Sequence, residues 1–267
     1  MIIGVSRASA AALPSTNMTM RFDFSDITTL FKTFSSGSTP SFSNQASADG
    51  DVIRVAKTVF PAPNSEYTAH DNFDSTTAPI VKITSPGLAR QCLKFDGSND
   101  MYHTPRSRNG DGDIGLSSVV FGASAKTCFI VFRLDALPSS GNLFSLFEAS
   151  SGSWWAMRAR ESGGNVTVQH ETHAGGTYIG ADTQTHLAIN TNYVACGRHD
   201  GVNIKVSVNN DTEQSAACGA SDHSYDGGLS SPNGFLNGRI GEIVCYNAVL
   251  SGSDLSNAYT YLMNKWL

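Results

Sequence analysis

Charge is scarce in this chain of 267 residues: Asp, Glu, Lys and Arg together make up 15 %, and the formal net charge is −5. The Lys and Arg residues form no cluster, which argues against nucleic acid as a partner, because phosphate binding needs concentrated positive charge. No apolar run approaches the ~20 residues of a spanning helix, so membrane insertion is not expected. The five cysteines, Cys92, Cys128, Cys196, Cys218 and Cys245, are odd in number and contain no Cys-x-x-Cys pair. All but Cys218 sit in strand-like apolar runs, where free Cys behaves as a small buried hydrophobe. Folding in a reducing compartment is therefore expected rather than a disulfide-stapled framework. The opening MIIGVSRASAAALPS is interrupted by Arg7 and has no basic segment before its apolar residues, so it does not read as a signal peptide.

Catalytic patterns are missing as well. Glycoside hydrolysis on a β-sheet needs two carboxylates at alternate positions of one strand, so that both reach the same cleft. The six glutamates, Glu66, Glu148, Glu161, Glu171, Glu213 and Glu242, stand apart from any such pair. There is no Gly-x-Ser-x-Gly elbow, phosphate loop or His-Glu-x-x-His helix. The expectation is a protein that is not an enzyme, a glycoside hydrolase being the alternative that would need the missing pair.

What the chain does have is 40 % hydrophobic residues, 25 glycines and abundant Ser, Thr and Asn, the composition of a turn-rich β protein. Thr127 to Leu134, TCFIVFRL, is apolar on both faces and predicts a central strand covered on both sides. Leu143–Phe147, Ser153–Arg160 and Val166–His170 predict further strands, and Tyr193–Gly197 with Val202–Val208 a hairpin around Asp200-Gly201. In Leu88–Tyr102, Leu93 and Phe95 alternate with Cys92, Lys94 and Asp96, while Pro61–Pro79 reads as loop. Asp26–Phe34 reads as a brief helical turn with Ile27, Leu30 and Phe31 inward. Arg239–Tyr246 predicts a strand with Ile240, Glu242, Val244 and Tyr246 on one face and Ile243 and Cys245 on the other. A helix over 252–266 follows, with Ser251 and Asp254 as a capping pair and Leu255, Ala258, Tyr259, Leu262 and Trp266 as its apolar stripe. Short strands separated by turns, without βαβ alternation, predict an all-β antiparallel sandwich. Residues 1–19 read as an extended N-terminal arm and residues 20–267 as one domain.

Three stretches resemble one family. Gly238, Ile240, Glu242, Tyr246, Asn247, Leu250, Ser251 and Trp266 match the closing segment of laminin-G-like domains, with Gly241 where many relatives carry Asp. Leu93-x-Phe95-Asp96-Gly97-Ser98-Asn99-Asp100-x-Tyr102 is similar to their signature hairpin. Asp23-x-Ser25-Asp26-x-x-Thr29-Leu30-Phe31, followed by Ala48-Asp49-Gly50-Asp51-x-Ile53, is similar to the opening segment of laminin-G-like proteins common in tailed-phage virions. The resemblance implies a concanavalin A-like jelly roll on the surface of a bacteriophage particle, as a head decoration or a tail accessory. It further implies synthesis and assembly in the host bacterial cytoplasm, with other virion structural proteins as partners. A homo-oligomer anchored by the arm, which stabilises the particle or contacts host-surface polysaccharide, is the leading expectation. A lectin or receptor-binding tail protein is the alternative.

Three groups of residues are site candidates. Asp96, Asn99 and Asp100 carry oxygens able to hold Ca2+, which some relatives bind, and they are equally the ordinary residues of a tight turn. Trp154 and Trp155 face opposite ways on a strand, so one enters the core, and the other, with Tyr178, offers a stacking platform for a sugar ring. His170 and His173, three apart, fall on opposite faces of a continuous strand and share no metal without a bulge.

Overall fold

A computed structural model describes residues 12–35, 41–53, 55–57, 68–70, 80–82, 88, 90–100, 102–103, 125–149, 155–174, 177–219, 227–229 and 234–267. Two antiparallel sheets face each other. Among the described residues the first is built from β1 (Met18–Asp23), β6 (Ile80–Lys82), β7 (Cys92–Asp96), β9 (Ala125–Leu134), β14 (Asn192–Asp200), β15 (Asn203–Val208), β16 (Gln214–Ala217) and β18 (Asn237–Tyr246). Its order is β16-β15-β14-β9-β18-β7-β6. The second runs β13 (Thr177–Asp182), β12 (Asn165–Ala174), β11 (Trp155–Ser162), β10 (Leu143–Ala149), β17 (Gly227–Leu229), β8 (Tyr102–His103), β5 (Thr68–His70), β4 (Val55–Lys57), β2 (Leu30–Ser35), β3 (Ser41–Gln45).

Strand alternation builds two apolar layers. Between the sheets, Phe95, Ile130, Phe132, Ile240 and Ile243 of the first sheet meet Leu146, Phe147, Trp155, Met157 and Val168 of the second. On the far side of the first sheet, Phe129, Val131, Val194, Val244 and Tyr246 pack under helix α1 (Gly252–Trp266) through its Ala258, Tyr259, Leu262 and Trp266. Each large apolar side chain removed from water here contributes about 1.5–3 kcal/mol. Strand β9 therefore has apolar cover on both faces, as its unbroken run requires.

Strand β18 departs from simple alternation. Its register against β9 shifts between Ile240 and Glu242, and the extra residue is Gly241. The bulge puts Ile240 into the inter-sheet core with Ile243 and Cys245, while Glu242, Val244 and Tyr246 turn to the helix side. The expectation that Ile240 shares a face with Glu242 fails for this reason: one inserted residue inverts the parity of everything before it. The same point divides the free edge of β18, whose Asn237–Ile240 pairs with β7 and whose Glu242–Tyr246 pairs with β1. A Cβ on Gly241 would lie 2.7 Å from Cζ3 of Trp266, so the indole lies directly on bare backbone. An Asp side chain at this position has no room.

Other expectations shift at their edges. The turn after Asp26 is a short 3-10 segment, Ile27–Thr29, and Leu30 already starts β2, with its side chain buried. Strand β5 lies inside the stretch read as loop, since three residues carry too little alternation to be seen. The helix spans 252–266 as expected, yet Ser251 makes no side-chain cap bond. Met18 and Thr19, assigned to the arm, belong to β1. All five cysteines are free and buried. Gly241→Ala is expected to destabilise the fold by about 1–3 kcal/mol. Lifting Trp266 off the sheet should red-shift tryptophan fluorescence in the native state, and an unchanged urea midpoint and spectrum would contradict this packing.

Candidate functional site

Strands β10 to β13 present a polar outer face because their inward positions are already taken by the core. On β11, Met157 and Ala159 point inward, so Arg158 and Arg160 point out. On β12, Val168 and His170 are buried, and Gln169 and Glu171 take the outward positions. The register sets Arg158 opposite Gln169, Glu171 opposite Gly180, and Gln169 opposite Asp182. Arg158 Nη1 donates to Glu171 Oε2 at 2.8 Å, Arg160 Nη1 to Gln169 Oε1 at 3.0 Å, and Gln169 Nε2 to Asp182 Oδ2 at 3.2 Å. These contacts tie the side chains of β11, β12 and β13 to one another. Gly180 makes the arrangement possible: a Cβ there would meet Gln169 Nε2 at 2.8 Å.

Above this network lies an open groove of about 460 Å³. Arg158, Gln169, Glu171 and Gly180 form its floor, and Arg160 and Tyr178 also line it. Tyr178 is 59 % exposed and brings an aromatic ring to the groove's lining. At one end Glu161 closes the structure, accepting from Gly141 N at 2.5 Å and Gly164 N at 2.7 Å. Those two backbone donors hold its carboxyl below the usual range. The site offers fixed donors, fixed acceptors and one aromatic face, with two guanidinium groups balanced by Glu171 and Asp182.

No protein-family model matches the chain, and no curated protein matches it in sequence. Solved structures do match. Domain 4 of an extracellular GH43 arabinanase from Geobacillus stearothermophilus, in complex with arabinotriose, has a TM-score of 0.58 at 12 % identity over 91 % of this chain and 98 % of that one. Trypanosoma rangeli sialidase gives 0.57 at 14 % identity, over 95 % of this chain and 34 % of the enzyme. The binding domain of botulinum neurotoxin serotype D gives 0.52 at 12 %, over 91 % and 50 %. The likeness is one of fold. The chain thus spans about a third of the sialidase and half of the toxin domain.

Among the described residues offered as glycan or metal candidates from sequence, only Tyr178 lines the groove. Trp155 is the tryptophan that enters the core: it has no exposed surface and meets the rings of Phe147 and His170 edge-on, at 5.8 and 4.7 Å. A surface ligand cannot reach it. Trp154 lies outside the described residues. His170 is buried, its Nδ1 donating to the Lys205 carbonyl at 2.9 Å, and the His173 side chain is outside the described set. Arg158, Arg160, Gln169, Glu171 and Asp182 carried no motif. The available signal was polar alternation on two adjacent strands, whose relative register the sequence does not reveal.

Asp96, Asn99 and Asp100 form the turn after β7. Asp96 Oδ1 accepts from Ser98 N at 2.7 Å and Asn99 N at 3.4 Å, and Asp100 Oδ2 accepts from Asp96 N at 2.7 Å. Among the described residues no group of three His, Cys, Asp or Glu is placed to hold a metal. Burial pushes the Asp100 carboxyl up to about 6, against the opposing hydrogen bond from Asp96 N. One oxygen of each carboxylate accepts from the turn's own amides, so both acids brace the turn they lie in. The shift has a pH signature. Because the folded value exceeds the unfolded value near 3.8, the native state holds the proton longer, and stability falls as pH rises from about 4 to about 6. Asp100→Asn keeps the acceptor and removes the titration. The difference between the two unfolding free-energy curves should change over that interval and be level above it, and parallel curves throughout would refute the assignment.

Proposed function

We propose that this chain is a non-catalytic carbohydrate-binding β-sandwich whose ligand lies in the groove over β10–β13. The observation that carries the reading is the groove itself, where the hydrogen-bonded pairs Arg158–Glu171 and Arg160–Gln169 line the same surface as the exposed Tyr178. Sugar rings have apolar C–H faces that stack on aromatic rings, and rims of hydroxyls that accept from guanidinium and donate to carboxylate. The balanced charge suits a neutral saccharide. The arabinanase domain bound to arabinotriose supports the choice of ligand class.

The non-catalytic part of the reading rests on where the glutamates are. Glu161 holds backbone amides, Glu171 pairs with Arg158, Glu213 with Arg198, and Glu242 with Arg21 and Lys265. Each of these carboxylates has a structural partner. On this reading, incubation with arabinan or laminarin-like glucans releases no reducing sugar.

The resemblance of the Asp23–Ile53 and Leu93–Tyr102 segments to laminin-G-like virion proteins supports placing the module on a tailed-phage particle. There it acts as a head decoration or tail accessory in homo-oligomeric form, with virion proteins as neighbours and host polysaccharide as ligand. Glycan-array screening followed by calorimetry tests the groove. Tyr178→Ala should weaken binding roughly twofold to twelvefold, the value of one aromatic contact of about 0.5–1.5 kcal/mol, with an unchanged circular dichroism spectrum. No binding at millimolar sugar overturns the proposal. Deleting residues 1–11 leaves β1 whole and tests the anchor. The truncated domain should stay folded but fail to join particles, and full incorporation would reject the anchoring role.

A further inference from the structure

Cys128 and Cys245 occupy directly opposed positions on β9 and β18, the antiparallel neighbours at the middle of the first sheet. Opposed residues in such a pair have Cα atoms about 4.5–5.5 Å apart, inside the roughly 4.4–6.8 Å that a disulfide spans. Their Sγ atoms are 3.2 Å apart, and both side chains lie wholly inside the inter-sheet core. We propose that Cys128 and Cys245 are a disulfide-forming pair, closed when the chain folds in an oxidising medium.

The other thiols do not compete. Cys196 lies next to β9 on β14, but it shares its face with the residues beneath the helix, as does Cys92. Cys128 and Cys245 point the other way, toward the second sheet. Cys218 lies just past the edge strand β16.

The chemistry requires only a small disulfide as oxidant, such as oxidised glutathione. One cysteine thiolate attacks it and forms a mixed disulfide, releasing a glutathione thiolate. The second cysteine thiolate then attacks the mixed disulfide, joins Cys128 to Cys245 and releases the second glutathione. Two protons leave the protein and two electrons pass to glutathione. Burial raises the Cys128 thiol well above its usual range, so the closed sandwich reacts slowly and the bond forms as the sheets come together. The same chain then folds with free thiols in a reducing compartment and with its central strands tied in an oxidising one. The tie joins residues 117 apart, which restricts the unfolded chain and should raise the denaturation midpoint.

The test is to refold the full chain from guanidinium in a glutathione redox buffer, and in parallel to expose the folded protein to the same buffer. Free thiols are then alkylated and the digest is mapped by mass spectrometry. Refolded protein should give a peptide linking Cys128 to Cys245, a fall in alkylatable thiols from five to three, and a raised midpoint. Cys128→Ala and Cys245→Ala should each abolish the difference between oxidised and reduced midpoints. Five alkylated thiols in natively refolded protein, or a link involving Cys92, Cys196 or Cys218, overturns the assignment. The wild-type map decides the question even where a variant fails to fold.

Discussion

Glu242 has no exposed surface, and the three groups that neutralise and bond it come from both ends of the chain. Arg21 Nε on β1 donates to Oε1 at 2.7 Å, while Lys265 Nζ at 2.7 Å and Trp266 Nε1 at 2.8 Å on α1 donate to Oε2. Asp23 shares the two cations, accepting from Lys265 at 2.5 Å and Arg21 at 3.1 Å. A buried carboxylate without such partners costs several kcal/mol, so the strand, the helix and the first strand of the sandwich must be in place together. Burial opposes ionisation of Asp23, but the Lys265 and Ser25 hydrogen bonds outweigh it and lower the carboxyl below its ordinary value. Asp23 therefore stays charged at neutral pH, and the cluster closes the sheet where β1 and α1 meet.

From this closure the position of the groove follows. The helix covers the far face of the first sheet, leaving that sheet apolar on both sides. The second sheet has one face in the shared core, so the outer side of β10–β13 takes the polar residues of each strand, and Arg158, Gln169 and Glu171 there are buried by their own pairing and packing. At the end of this face Glu161 joins the Gly141 and Gly164 turns by accepting from both amides.

Much of the architecture was legible because it depends on local periodicity. The unbroken run of β9, the hairpin of β14 and β15, and the apolar stripe of α1 were each visible as patterns of period two or 3.6. The Asn209-Asn210 turn uses a left-handed backbone, with φ of 51° and 61°, that Asn tolerates. The candidate site was much less legible. Tyr178 was found because aromatics are rare and conspicuous, whereas Arg158, Glu171 and Gln169 are ordinary strand residues until the register sets them side by side. Trp155 and Trp154 could be separated by parity but not oriented, because alternation says that two neighbours differ without saying which faces the core.

By itself the sequence determined the class of the fold, the ends of the last helix and the burial of its thiols, all consequences of composition and spacing along the chain. Only the tertiary structure decided which face of each strand is inside, where β18 bulges, and which distant side chains share a groove or a carboxylate. The physical reason is that pairing register and inter-element packing are contacts between residues far apart in sequence. Glu242 and Arg21 are 221 positions apart, and nothing local to either residue specifies the other.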